Sequence, residues 1–309
     1  ARNGYSGTDR TIAAATTTGG ADGIDARNYG SGALSITTTG TTTGSGDVGI
    51  EAKNTSGTGI TIDANNTYGK FGFYVHNMVP GTSGLSIITR GTTTGTDGAG
   101  IHAVNYSSGA LDITTKAATT GTSNGIYAKN DGSGSLSITA TGTTTGGTTN
   151  WRGIEALNYG SNLTINASTT TGGRDGIFAA NYGDGALRIT TTGTTTGTGG
   201  NGISARNSTS TADLTINAAD TTGSTIGIYA VNYGSGALSI TTTGTTTGTG
   251  SYGINAGHFG TGDFTINAAT TTGGIHGIYA VRDGIGALSI TTSGTITGGT
   301  GYGIKAKTT

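Results

Sequence analysis

A Gly-Ile dipeptide, Gly-Phe in one case, recurs at Gly23, Gly49, Gly72, Gly100, Gly125, Gly153, Gly176, Gly202, Gly227, Gly253, Gly277 and Gly303, at intervals of 23 to 28 residues. A unit this short cannot bury a hydrophobic face alone and must stack on its neighbours, as in solenoids. One full unit runs from Gly227 to Gly248 as GIYAVNYGSGALSITTTGTTTG, and a shorter type ends in LTINA, as at Leu163 to Ala167 and Leu214 to Ala218.

Inside a unit the apolar pattern has period two, the mark of a strand. Ile228 and Ala230 share one side of a first segment, with Tyr229 and Val231 on the other. In a second segment Leu238, Ile240 and Thr242 oppose Ser239, Thr241 and Thr243. No segment shows helical periodicity. The second-segment Ile returns in coil after coil (Ile36, Ile62, Ile87, Ile113, Ile138, Ile165). A Leu usually stands two residues before it and a small residue two after. A constant size profile suits a narrow, close-packed interior. We therefore expect an all-β chain: one right-handed parallel β-helix (β-solenoid) over residues 1–309, of about twelve coils of about 25 residues, with two or three strands each. At ~4.8 Å per coil the rod would be roughly 55–60 Å long.

Five residues past the repeat glycine stands Asn28, Asn54, Asn77, Asn105, Asn130, Asn158, Asn181, Asn207 or Asn232, until His258 and Arg282 break the column. Stacked amides can bond from coil to coil and satisfy turn backbone, so we read a structural ladder.

Composition excludes several alternatives. Gly supplies 62 residues, but a single proline, Pro80, and no Gly-X-Y period exclude collagen. Regularly spaced Ile, Leu and Ala argue against disorder. The net charge is −1, without the Lys/Arg clusters that displace counterions from nucleic acid, so no nucleic-acid partner is expected. No apolar run is long enough for a membrane span. Cysteine is absent, which removes disulfides and thiolate metal sites.

Units of the form GIYAxNYGSGALSITTTG resemble the passenger domains of bacterial autotransporters, along the whole chain. The resemblance implies a virulence-type, adhesin-like rod on the bacterial cell surface or secreted, and a C-terminal outer-membrane translocator barrel outside this sequence. It implies as partner a host-cell surface protein or glycan, or the rod itself. Ala1-Arg2-Asn3 aligns with Ala26 to Asn28 and the chain stops at Thr309 inside a unit, so a piece of a longer array is expected.

Sugar-cleaving enzymes of this architecture use carboxylate clusters. Asp25 and Glu51 occupy matching positions, but Arg27 and Lys53 stand beside them, which favours a surface ion network. The histidines His76, His102, His258 and His276 have no metal-ligand spacing. We expect no catalytic residue, no metal and no cofactor. Candidate binding residues are the outward aromatics Tyr127, Phe178, Tyr229 and Tyr279, in alternate coils with Tyr74 in the same column. A second column holds Tyr29, Tyr106, Tyr159, Tyr182, Tyr233 and Phe259. Insertions after Asn77 and at Thr148 to Arg152 project loops, and Trp151 with Arg152 forms a candidate anchor pair. Outward Ser239, Thr241 and Thr243 raise ice binding, which Asn166, Asn217, Asn267, Arg90, Lys116 and Arg188 interrupt in other coils.

Overall fold

The computed structural model describes residues 2–3, 7–79, 81–208 and 212–309; Ala1 and Pro80 lie outside the described residues. All regular structure among them is β-strand, arranged in three parallel sheets of 13, 12 and 12 strands. Each coil adds one strand to each sheet in turn, as with Ile126–Asn130, Leu136–Ala140 and Thr144–Thr145. A strand pairs with its counterpart in the coil before and the coil after, giving a β-solenoid of about twelve turns. The repeat period is the cause. Units of equal pattern place like residues opposite one another, as in Ile101, Ile126 and Ile154 or Leu111, Leu136 and Leu163.

The first-sheet Ile and Ala and the second-sheet Leu and Ile form one continuous apolar core, most of it without solvent contact. Phe73 takes an Ile position and Phe264 a Leu position in this interior, and both are fully buried. The third sheet contributes threonine instead. Thr93, Thr119, Thr144, Thr170 and Thr195 point inward and are buried, and their hydroxyls have no hydrogen-bond partner among the described residues. Ile296 fills the same position in the last third-sheet strand.

That inward threonine explains the repeat glycine. A Cβ built on Gly100 would sit 2.8 Å from the γ-methyl of Thr119 and 2.8 Å from the carbonyl oxygen of Gly125 in the next coil. Only glycine lets first sheet, third sheet and next coil meet there.

The asparagine column is a hydrogen-bonded ladder from Asn28 to Asn181. Each Nδ2 donates to the Oδ1 one coil on, at 2.9, 3.0, 2.8, 2.9, 2.9 and 2.8 Å in turn. The amides also hold the turn that follows: Asn130 Nδ2 donates to the Gly134 carbonyl at 2.7 Å and Asn181 Nδ2 to that of Gly185 at 2.6 Å. Further on, Asn207 and Asn232 donate to the Ala212 and Gly236 carbonyls. Asn207 Oδ1 has no partner among the described residues. His258 and Arg282 continue the column fully buried, their ring and guanidinium nitrogens on the Gly262 and Gly286 carbonyls at 3.0 and 2.8 Å.

Candidate binding face

The outward side of the first sheet carries rings and charges in columns, because every coil places two outward side chains there in register. At its start the carboxylates of Asp22, Asp25 and Glu51 lie within 4.8 Å of one another. They are already engaged. Arg27 pairs with Asp25 at 2.9 Å and with Glu51 at 3.2 Å, Lys53 pairs with Glu51, and Asp22 accepts from the Val48 N–H at 3.1 Å. The hydrogen bond to Asp25, before any other cause, strengthens the hold of Arg27 on its proton.

Two coils on, the face becomes aromatic. Tyr74, His102 and Tyr127 stack face to face with centroids 4.8 Å apart at each step, and Phe71 meets Tyr74 and His102 edge-on at 5.5 and 6.1 Å. His76 packs beside Tyr74 at 4.4 Å. Burial in this stack, helped by neighbouring His76, pushes the His102 imidazole down to about 4, so it is a neutral ring at physiological pH. Burial also lowers His76, with Lys53 adding to the effect and Glu51 opposing it.

The Trp151 loop closes the far side. Arg152 Nη1 binds Glu155 Oε1 at 2.7 Å, Arg152 Nε reaches Asp175 at 3.3 Å, and the guanidinium lies 4.2 Å over the Phe178 ring. Asn124 locks the loop, donating to Glu155 Oε2 at 2.9 Å and accepting from the Arg152 N–H at 2.9 Å. Between loop and stack lies a hollow of about 350 Å³ lined by Phe71, Ala99, His102, Tyr127, Trp151, Asn124 and Glu155. A second hollow of about 340 Å³, bounded by Val48, Glu51, Phe71 and Tyr74, continues it toward the start of the chain. Trp151 keeps 45% of its surface exposed.

Tyr127, Trp151, Arg152 and Phe178 thus meet in one patch. Tyr229 and Tyr279 share the column but stand further along the rod, opposite Ser204 and Asn255, and Asn255 and Lys305. Tyr279 stacks on Tyr252 at 5.4 Å, with Lys305 at 5.5 Å from its ring. In the second aromatic column Tyr159 stacks on Tyr182 at 4.8 Å and Tyr233 on Phe259 at 5.2 Å. These stacked rings turn one face to each other, yet Tyr159, Tyr233 and Phe259 keep about as much exposed surface as Trp151. Phe71, His102 and Asn124 were not singled out from the sequence. Phe71 precedes the repeat glycine, and the other two gain meaning only once Tyr74, Tyr127 and the Trp151 loop surround them.

Among the described residues no helix is long and apolar enough to cross a membrane. Neither a family model, nor a curated protein, nor a solved structure matches the chain.

Proposed function

We propose that this rod is the passenger-type part of a bacterial surface-displayed or secreted protein, and that it works by binding along its first-sheet face without catalysis. The partner is a host-cell surface protein or glycan. One observation carries this proposal: the aromatic hollow in which Phe71, His102, Tyr127 and Trp151 converge. Large rings with a polar rim are the side chains that dominate recognition surfaces. Further support is chemical. The carboxylates beside Trp151 are engaged, Glu155 by an ion pair to Arg152 and a hydrogen bond from Asn124, and Asp175 by Arg152, while Asp97 at the rim of the hollow is exposed. A stiff rod of stacked coils also suits holding such a face away from a cell, and the repeated unit resembles autotransporter passengers, whose export uses an outer-membrane barrel.

A second function, lateral self-association, is favoured by a different observation. Tyr106, Tyr159, Tyr233 and Phe259 lie along one edge with 43–47% of each ring exposed.

The test is titration of labelled rod onto mammalian cell monolayers, comparing wild type with Trp151→Ala and with Tyr127→Ser/Tyr229→Ser/Tyr279→Ser. Weaker binding by both variants supports the first-sheet face. Saturable binding unchanged by either would remove it.

A further inference from the structure

The third sheet has a different chemistry from the first. Its outward column, the residue just after each buried threonine, is threonine in every coil from Thr94 to Thr297, with all partners in register. Two residues earlier along each strand a flanking column runs from Thr92 to Thr295 and is threonine except at Ala118 and Asp220. That column belongs to the same ladder. The carbonyls of Thr143, Thr169, Thr194 and Thr270 each accept a backbone N–H from the preceding coil at 2.9 Å. Threonine therefore forms a two-dimensional array, ~4.8 Å apart along the rod and ~6.7 Å apart across each strand.

Two further facts set this array apart from ordinary β surface. β-propensity alone would admit Val, Ile or Tyr as readily as Thr at outward positions, and the second sheet is indeed mixed, with Ile88, Asp112 and Arg188 among its Ser and Thr. Over the coils from Thr94 onward the two third-sheet columns hold a single charge, Asp220. The array is also rigid, because each outward threonine from Thr94 to Thr272 sits between a buried threonine and a buried glycine.

We propose that this face binds crystalline ice. The prism surface of ice is an uncharged lattice of hydrogen-bonding oxygens with repeats close to the two spacings of the array. Charged side chains hold their own hydration in other geometries, so a charge-free face is the electrostatic complement of such a surface. Threonine hydroxyls take lattice positions while their methyls order the water between them. The ice row considered from the sequence lay on the second sheet, where Asn, Arg and Lys interrupt it; the third sheet supplies the regular face instead.

This binding is independent of the first-sheet partner, and the two fail separately. The test measures thermal hysteresis and uptake into a slowly growing ice hemisphere for the wild-type rod, for Thr145→Tyr/Thr196→Tyr on the third sheet, and for Ser239→Tyr on the second. Circular dichroism of each variant checks that the coils remain folded. Wild type and Ser239→Tyr should show hysteresis and enter ice, while the folded third-sheet variant should lose both. Exclusion of the wild-type rod from ice, or equal uptake of all three, would overturn the proposal, whatever cell binding shows.

Discussion

Replacing Asn130 by alanine tests the ladder where its geometry is most complete. The side chain donates to the Gly134 carbonyl at 2.7 Å, the Gly132 carbonyl at 3.2 Å and Asn158 Oδ1 at 2.9 Å, and accepts from Asn105 Nδ2 at 2.9 Å. Asn105 Nδ2 keeps the Ser107 and Gly109 carbonyls and is little harmed. The Gly132 carbonyl loses its side-chain donor in a place where Asn130 has no solvent contact, while the Gly134 carbonyl keeps the Ser161 N–H at 3.0 Å and Asn158 Oδ1 keeps the longer Gly160 N–H at 3.4 Å. At ~1 kcal/mol for a lost bond, with backbone N–H groups still on two of the three acceptors, the destabilisation should be about 2 kcal/mol. Coils touch mainly their neighbours, so the damage should be local. Hydrogen exchange read by mass spectrometry should show protection falling between residues 105 and 158 while both ends of the rod are spared. Asn130→Asp should be worse at neutral pH, since a carboxylate has no proton to donate, and should recover in part in acid. A change below ~1 kcal/mol for Asn130→Ala, or protection lost evenly along the whole rod, would refute the reasoning.

Thr119→Val keeps the γ-methyl against Gly100 and removes a buried hydroxyl without a partner; guanidinium denaturation should show stabilisation of about 1 kcal/mol. Gly100→Ala should cost about 1–3 kcal/mol by the same assay, because its Cβ meets two backbone carbonyls as well as the Thr119 methyl. Adding Thr119→Ser should therefore relieve only part of that loss. Burial pushes the folded His102 imidazole down to about 4, against 6.5 for a solvated imidazole, so folding favours its neutral ring. Its contribution is whole above pH 6.5, falls as pH drops and is gone below about 4. Melting curves should show roughly 2 kcal/mol of acid sensitivity from this half-buried ring, which His102→Phe removes.

The coil count and the core columns were legible because Ile, Leu and Ala alternate with polar residues at fixed offsets from the repeat glycine. The asparagine ladder was legible for the same reason. The third sheet was much less so. In a run such as Thr194-Thr195-Thr196 the inward and outward residues are identical, and an alternation of burial leaves no alternation of residue type. The aromatic hollow was legible only at its edges. Trp151 and Arg152 announced themselves as an insertion and Tyr127 as part of a column. Phe71 and His102 reach the hollow from other coils, and their closeness to Trp151 depends on the stacking of coils. The sequence also suggested a row of outward rings, and Tyr106, Tyr159, Tyr233 and Phe259 are exposed, but the stacking of Tyr159 on Tyr182 and of Tyr233 on Phe259 depends on the coil geometry.

Adherence of beads coated with the rod, to mammalian cells and to one another and against beads carrying an inert protein, tests the proposed function most directly. Beads that attach to cells above the inert control, and do so without first clumping, are the expected result. Beads that only clump would put self-association in its place, and beads that do neither would contradict a binding role for the first-sheet face.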